Sequence, residues 1–185
     1  ELDGAEIGGI KLHAAIDTVI RRNHIHHCTR GLWLDWQAQG TRVTQNLFHH
    51  NTPPDSAKII YHLEMGEDIF VEVSHGPTLI DNNLLLSDHA ARLSTQGVAM
   101  VHNLICGSFT KVGTGTDNGG LPRYTPYHVP HGTKINGFMT FLHGDMRFYN
   151  NIFLQQGVRF CSDEDMKSLN IDLNKYTGTF VYDEY

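Results

Sequence analysis

Asn83-Leu84-Leu85 and Asn103-Leu104-Ile105 are two copies of the short pattern that decides the fold of this chain. In each copy an asparagine precedes two residues, of which at least the second is apolar. The pattern recurs with gaps of 23, 37, 20 and 48 residues, as Asn23-His24-Ile25, Asn46-Leu47-Phe48, Asn83-Leu84-Leu85, Asn103-Leu104-Ile105 and Asn151-Ile152-Phe153. A coil of about twenty residues with asparagine at a fixed turn is typical of a parallel β-helix.

The two longer gaps each contain an excursion from the coil. One runs from Asn51 to Glu67 and opens with Asn-Thr-Pro-Pro, and the other runs from Gly107 to Asn136 and is rich in Gly, Pro and Thr. Asparagine tolerates the left-handed turn conformation, and its side-chain amide can bond the backbone or the amide of the next coil. We therefore predict an all-β chain, folded as a right-handed parallel β-helix of about five coils with two long loop excursions.

The alternative architecture is an antiparallel sandwich, but the Asn-Gly and Asp-Gly pairs that its hairpins would need between strands are nearly absent. The segment 162–173 has an acidic first turn and predicts one short helix. A chain of 185 residues fits one domain, so we predict a single β-helix domain over residues 1–185.

Composition excludes several classes of function. The net charge is −6 and the 14 Lys and Arg residues are scattered, which argues against a nucleic-acid partner. No apolar run reaches membrane-spanning length, so no membrane partner is expected. Cys28, Cys106 and Cys161 are too few and too widely spaced for a disulfide framework or a zinc knuckle, and are expected to be small buried residues.

The ends of the chain bear on where the protein works. It starts at Glu1 without a methionine, as a processed or truncated end would, so the lack of a visible signal peptide says little about export. Localisation is left open, with the cytoplasm favoured. We expect no cofactor, and the sequence is silent on the oligomeric state.

Two acidic residues occupy equivalent positions in the repeat. Asp35 lies eleven positions before Asn46, and Glu72 lies eleven positions before Asn83, which places both at the same point on consecutive coils. Neighbouring strands lie about 4.7–4.9 Å apart. A retaining glycosidase holds its two carboxyl groups roughly 5–5.5 Å apart, whereas an inverting one needs about 6.5–9.5 Å. The repeat therefore predicts the retaining geometry for Asp35 and Glu72. Two acids on the outer face of such a coil can also be merely solvated, and the aromatic residue beside each one favours a catalytic pair.

Alternation along the strands predicts which way these side chains face. In Leu32–Trp36 and Ile69–Val73 the residues beside the carboxylates are apolar, so Asp35 and Glu72 are expected to point away from the core. The ionised member would attack the anomeric carbon, and the protonated member would donate to the leaving oxygen. An outward aromatic ring beside a carboxylate suits sugar stacking, which makes Trp33 a candidate for substrate binding.

Four further residues are candidates for substrate binding. Arg92 lies eleven positions before Asn103, so the same alignment puts it beside the carboxylates. His75 directly follows the strand of the second carboxylate. His128 and His131 lie at the end of the Gly-rich excursion, where loops that line clefts originate.

Thirteen histidines invite a metal site. His24 and His26 would share a strand face, with His27 next to them, but a zinc site also needs supporting groups that a sequence does not reveal. We interpret these residues, and His49-His50, as polar turn residues and stacked rings. The sequence therefore predicts no metal site.

Four blocks of sequence resemble the glycoside hydrolases of family 120, namely Gly4–His13, Gly31–Gly40, Asp68–Pro77 and Thr125–Gly132. The resemblance implies a β-xylosidase that removes xylose from short xylo-oligosaccharides, with a parallel β-helix core and a retaining mechanism. It implies that Asp35 of Trp-Leu-Asp-Trp is the nucleophile and that Glu72 of Phe-Val-Glu-Val is the acid/base. Glu6 of Gly-Ala-Glu-Ile resembles the third acidic residue, which holds sugar hydroxyls. Family members are several times longer, so the chain resembles the carboxyl-terminal part of a longer catalytic domain.

Two other functions stay open. One is a β-helix polysaccharide lyase, which would use a calcium-binding acidic cluster with Arg or Lys as base, and Arg92 beside Glu72 fits that interpretation. A pectin esterase is a related alternative, because it would fit the same fold. A non-catalytic β-helix that binds glycans is the third possibility. The expected partner in the first two cases is an oligosaccharide or polysaccharide substrate.

Overall fold

Strands make up all the regular structure of the described chain. The computed structural model describes residues 6–54, 66–111, 124–140 and 144–154, which form seventeen strands and no helix. The all-β prediction is therefore confirmed for these residues, while the helix predicted for 162–173 lies outside them. This part of the protein also contains no helix with the length and apolar character that a membrane crossing requires.

Fifteen of the strands form three parallel sheets, and the other two form a hairpin. The first sheet contains β1 (Ile10–His13), β4 (Leu32–Asp35), β7 (Ile69–Glu72), β10 (His89–Ser94) and β13 (Ser108–Lys111). The second sheet contains β2 (Val19–Arg21), β5 (Thr41–Thr44), β8 (Thr78–Asp81), β11 (Val98–Val101) and β16 (Met146–Tyr149). The third sheet contains β3 (His24–His26), β6 (Leu47–His49), β9 (Leu84–Leu85), β12 (Leu104–Ile105) and β17 (Ile152–Phe153). The hairpin contains β14 (Thr125–His128) and β15 (Ile135–Met139).

The chain visits the three sheets in rotation, one strand in each, and then returns to the first sheet one strand further along. Five such rounds are described, and every strand pairs in parallel with the strand one round earlier. Parallel pairing excludes the antiparallel sandwich. The order is consistent with the predicted parallel β-helix of about five coils.

The core is made of inward side chains that stack from coil to coil. The second sheet contributes Ile20, Val43, Ile80 and Met100 in successive rounds. The third sheet contributes Ile25, Phe48, Leu85 and Ile105 at equivalent positions. Burial of each large apolar side chain contributes roughly 1.5–3 kcal/mol. The stack in the third sheet explains why the second residue after the first four repeated asparagines is apolar, whereas Phe153 of the fifth is half exposed.

The repeated asparagines form a ladder between the second and third sheets. Each side-chain amide donates to the side-chain oxygen of the asparagine on the next coil, at 3.0 Å for Asn23 to Asn46, 3.0 Å for Asn46 to Asn83, 3.0 Å for Asn83 to Asn103 and 2.9 Å for Asn103 to Asn151. The backbone N–H of each also donates to the same acceptor. The predicted amide bonding between coils is confirmed.

The left-handed residue of this turn is not the asparagine itself. Positive φ angles of 52° to 58° occur at the residue immediately before each ladder position, namely Arg22, Gln45, Asn82, His102 and Asn150. The expectation that the repeated asparagine adopts this conformation was wrong. The asparagine is selected instead because its buried amide must both donate and accept.

The second excursion has different bounds from those predicted. Residues from Ser108 belong to β13 and pair with β10, so the coil continues to Lys111 rather than ending at Gly107. At the other end the excursion includes all of β15, which extends beyond Asn136 to Met139. Glycine and proline marked this excursion correctly but did not locate its ends, because β13 before it and β15 within it are short strands with no distinct sequence boundary. Most of the first excursion, residues 55–65, lies outside the described residues.

Candidate active site

Asp35 and Glu72 end neighbouring strands of the first sheet. Leu34 is paired with Val71, and the two carboxylate residues come next on their strands in the same register. His13 pairs with Asp35 on one side, and Ser94 pairs with Glu72 on the other. Parallel neighbours of this kind have strand axes about 4.8 Å apart.

Both carboxylates face away from the core. Leu34 and Val71 belong to the buried core cluster, and alternation puts the following residues on the other face of the sheet. Glu72 is partly exposed, but Asp35 is only 3% exposed. An open outer face had been expected, and for Asp35 this was wrong, because neighbouring side chains from β1 cover it.

The Asp35 carboxylate accepts three polar contacts. Its Oδ1 accepts the backbone N–H of Trp36 at 2.8 Å. Its Oδ2 lies 3.0 Å from Lys11 Nζ and 2.8 Å from His13 Nε2. Lys11 and His13 reach it because alternate residues of β1 point to the same face as Asp35 on the adjacent strand. Asp35 is therefore a buried carboxylate held by a cation and by directed donors.

Lys11 connects Asp35 to the predicted third acidic residue. Its ammonium also forms an ion pair with Glu6, whose side chain is largely exposed. Burial works to lower the pKa of Lys11, but the hydrogen bonds to Glu6 and Asp35 and their negative charges outweigh it, so the pKa is raised. At neutral pH Lys11 is therefore a positive charge between two carboxylates.

Glu6, His13 and Asp35 form one group of side chains with the chemistry to hold a metal ion. Their ligand atoms lie within 4.8 Å of one another. The Lys11 ammonium already contacts both carboxylates of this group. The Lys11 ammonium thus offsets one of the two negative charges that a metal ion at this group would otherwise face.

Trp33 contacts both Glu72 and the neighbouring aromatic ring of Phe70. Its indole Nε1–H donates to Glu72 Oε2 at 3.1 Å. The ring centroid lies 3.6 Å from Lys11 Nζ and 4.5 Å from the Arg30 guanidinium, and 5.3 Å from the ring of Phe70. At 4% exposure the ring has little free surface, so the expected outward aromatic surface is covered by cationic side chains.

Arg92 does not lie in the carboxylate column. It pairs with Phe70, and Ser94 takes the position beside Glu72. The alignment failed because the turn between β10 and β11 is two residues shorter than that between β7 and β8. The Arg92 guanidinium lies 4.9 Å from the Phe70 ring centroid, along the same outer face.

A buried ion pair lies next to the rings of Trp33 and Phe70. Arg30 Nε donates to Glu67 Oε2 at 2.9 Å, and both residues are almost fully buried. Arg92 Nη1 lies 3.8 Å from the other oxygen of Glu67. Sequence patterns did not indicate Lys11, Arg30 or Glu67 as parts of the site, although Lys11 lies in β1 at the position that pairs with Trp33.

The three predicted histidines attach the hairpin to the coils. His75 Nε2 lies 2.7 Å from Thr125 Oγ1, and its ring is 6.0 Å from that of Tyr127. His131 Nδ1 lies 2.8 Å from Asp17 Oδ2. The hairpin thus lies beside the turn that follows the carboxylate strands.

His128 is held through its backbone. Gln39 accepts its N–H at 3.0 Å and donates to its carbonyl oxygen at 3.0 Å. The His128 ring is 6% exposed, and its Nδ1 lies 3.2 Å from the Thr133 carbonyl oxygen. These contacts fix the hairpin near the site, and substrate binding by His75, His128 and His131 stays a prediction.

Comparison with known proteins gives one informative likeness. A solved structure of XylC in complex with xylose matches with a TM-score of 0.68 and 45% sequence identity, over 84% of this chain and 22% of the XylC chain. The chain thus spans about a fifth of the length of that protein. No family model matches the sequence, and no curated protein does.

Proposed function

We propose that this chain carries the catalytic carboxylates of a retaining glycoside hydrolase that resembles β-xylosidases of family 120 and releases xylose from short xylo-oligosaccharides. The observation that carries the proposal is the register of β4 and β7, which places Asp35 and Glu72 at equivalent positions on neighbouring strands and on one face. A spacing near 5 Å between their strands favours direct attack by a carboxylate over attack by an interposed water. The likeness to a structure that holds xylose supports the choice of sugar.

Asp35 is suited to the role of nucleophile. The Lys11 ammonium lies 3.0 Å from one of its oxygens, and the Trp36 N–H donates to the other at 2.8 Å, so the carboxylate has a fixed orientation. In the first step an Asp35 oxygen forms a bond to the anomeric carbon while the bond to the leaving oxygen breaks. The same donors hold the carboxylate in place during both steps.

Glu72 is suited to the role of acid/base. It is partly exposed on the outer face of the first sheet, and the Trp33 Nε1–H donates to its Oε2 at 3.1 Å. It would donate a proton to the leaving oxygen, and then accept one from the water that hydrolyses the Asp35 ester. Glu6, exposed and paired with Lys11, would accept hydrogen bonds from sugar hydroxyls.

The remaining parts of the proposal concern the whole protein. We propose that the described coils belong to a right-handed parallel β-helix and that residues 1–185 are one domain within a longer catalytic domain. The lyase alternative loses its support, because Arg92 lies beside Phe70 rather than in the carboxylate column.

Covalent trapping tests the proposal directly. The chain is incubated with an activated 2-deoxy-2-fluoro-β-xyloside, digested and mapped by mass spectrometry. We expect a single fluoroxylosyl label on Asp35, and none in Asp35→Asn. The matched control is Asp145→Asn, an exposed aspartate at the start of β16 in the second sheet, which should be labelled like the unaltered chain.

Azide rescue tests the second carboxylate. In Glu72→Gln, azide should restore release of an activated leaving group and yield a β-xylosyl azide, because the glycosyl ester still forms on Asp35. Asp35→Asn should show no rescue. Label on another residue, or hydrolysis that survives both substitutions, would refute the assignment. No label and no cleavage of an activated xyloside by the unaltered chain would favour a non-catalytic glycan-binding role.

A further inference from the structure

Five histidines form a cluster on the third sheet, away from the sheet that carries Asp35 and Glu72. We call them the histidine cluster, and they are His24, His26, His27, His49 and His50. They come from β3, β6 and the residue that follows each strand. Because the proposed catalytic carboxylates lie on the first sheet, an inference about this cluster does not depend on the proposed function.

Strand register brings these rings together. Ile25 and Phe48 point into the core, so His24, His26 and His49 point outward on one face. His26 pairs with His49, and their rings stack at 5.0 Å with an interplanar angle of 8°.

The two turn residues repeat this arrangement. His27 and His50 follow the two strands at equivalent positions, with φ angles of 53° and 52°. Their rings are 5.3 Å apart and nearly parallel, at 2°. The five rings therefore form two layers, one on each coil.

Ring nitrogens within the cluster are unusually close. His24 Nε2 lies 2.6 Å from His49 Nε2, and this contact joins the two coils. His26 and His27 approach through their Nδ1 atoms at 2.7 Å, and His49 and His50 do so at 2.6 Å. Each such pair holds two nitrogens that face one another and must share either a proton or a cation.

We propose that the histidine cluster binds one divalent transition-metal ion, of the Zn²⁺, Ni²⁺ or Cu²⁺ class, between His24 Nε2 and His49 Nε2. Imidazole is the side chain that suits these ions best. Two nitrogens bound to one ion at about 2.0–2.1 Å lie roughly 2.9 Å apart in octahedral geometry and roughly 3.3 Å apart in tetrahedral geometry, so the observed pair at 2.6 Å would have to separate by less than about 1 Å.

Water completes the coordination of this ion. In the described chain only Glu6, His13 and Asp35 form a group of three convergent ligands, so the cluster offers a pair of ligands rather than a closed cage. The site is therefore exposed and exchangeable. Its effect is to cross-link β3, an edge strand of the third sheet, to β6 on the next coil. Binding to the folded state alone would stabilise this end of the stack.

The test uses the whole 185-residue chain without an affinity tag, stripped with a chelator and titrated with ZnCl₂ by isothermal calorimetry. We expect saturable binding of one equivalent and a zinc-dependent rise in melting temperature that the chelator reverses. His24→Gln and His49→Gln should each weaken binding at least about tenfold, because each removes one of two ligands. Circular dichroism checks that both variants fold.

Two further variants make the result specific. His102→Gln is the matched control, since His102 is an exposed positive-φ residue that follows a strand of a later coil, and it should bind zinc like the unaltered chain. His27→Gln with His50→Gln should keep most of the affinity. The proposal is overturned if zinc binding is not saturable, if the His24 and His49 variants bind normally, or if the His27 and His50 pair alone abolishes binding.

Discussion

The indole nitrogen of Trp33 donates to Oε2 of Glu72 at 3.1 Å, from one strand of the first sheet to the next. Trp33 pairs with Phe70, two positions before Glu72, so the indole reaches diagonally along the outer face. The same indole ring also contacts two cations, the Lys11 ammonium and the Arg30 guanidinium. The ring therefore fixes the side chain of Glu72 while its own position is fixed by two charges.

Trp33→Phe should reduce catalysis more than it reduces stability. The phenyl ring keeps most of the packing but has no donor for Glu72, and a hydrogen bond to a charged group contributes roughly 1.5–3 kcal/mol. We expect kcat/KM for an aryl β-xyloside to fall roughly tenfold or more, with kcat as the main component. The measurements are steady-state kinetics and a thermal melting curve, each for the variant and for the unaltered chain. Tyr149→Phe, an exposed tyrosine of the second sheet, is the control. A change below about twofold would mean that the bond does not position Glu72.

Lys11→Met should destabilise the fold through Asp35. The substitution leaves a buried carboxylate with His13 and the Trp36 N–H but without its ammonium, at a cost of roughly 2 kcal/mol. Asp35→Asn in the same chain should recover part of this loss, which a double-mutant cycle by urea unfolding would measure. Additive effects of the two substitutions would show that the pair is not coupled.

The same lysine gives a pH dependence with a defined sign. Its pKa in the folded chain is raised above the ordinary value of 10.5 by the hydrogen bonds to Glu6 and Asp35, which overcome the opposing effect of burial. Its contribution is therefore fully present below pH 10.5 and is lost as the pH rises through the folded value. The unfolding midpoint of the unaltered chain should fall more steeply above pH 10.5 than that of Lys11→Met. Lys134→Met, an exposed lysine, should follow the unaltered chain, and parallel curves for all three would contradict the prediction.

Asn83→Ala should be among the most damaging single substitutions in the ladder. The amide donates to the carbonyl oxygen of Val43 at 2.9 Å and to Asn103 Oδ1 at 3.0 Å, while its own oxygen accepts both N–H groups of Asn46. Removal leaves these buried partners unsatisfied, so we expect a loss of about 3 kcal/mol or more in the free energy of unfolding.

Asn23→Ala provides the matched comparison for the ladder. Asn23 is exposed and only donates to Asn46, since it stands at the first position of the ladder among the described coils. We expect a loss near 1 kcal/mol or less. Equal losses for the Asn23 and Asn83 variants in urea unfolding would mean that burial and number of partners do not determine the cost.

The asparagine repeat made the fold predictable because it reports a local requirement that recurs on every coil. The same repeat placed Asp35 and Glu72 in register, because the turns after β4 and β7 have equal length up to β5 and β8. It misplaced Arg92, because the next turn is two residues shorter and a count back from the asparagine then lands on the wrong position. The repeated asparagine therefore predicts the position of a strand residue only where the turn between that strand and the next has the same length in each coil.

The environment of the carboxylates was less predictable than their positions. Burial of Asp35 arises from Lys11 and His13 on the adjacent strand, and no local pattern in the sequence reports contacts between side chains 24 and 22 residues apart. The Arg30 and Glu67 pair depends in the same way on the stacking of two coils, because its members are 37 residues apart. The sequence thus predicted the positions of the two carboxylates, but it did not predict the charged side chains that surround them.

Acidification should release the hairpin from the coils through His75. Burial lowers the pKa of His75 below 6.5, against the opposing effect of the bond with Thr125, and its Nδ1 has no hydrogen-bond partner among the described residues. Because the unfolded or undocked chain binds the proton more readily, stability is lost as the pH falls through 6.5 toward the folded value. Hydrogen exchange, corrected for intrinsic rates, should show weaker protection of β14 and β15 at about pH 5.5 than at about pH 7.5. In His75→Gln, which keeps a donor for Thr125 but does not titrate, the difference should disappear, while His131 remains beside Asp17 in both chains. Equal protection of the unaltered chain at both pH values, or the same difference in the variant, would assign the pH response to another group.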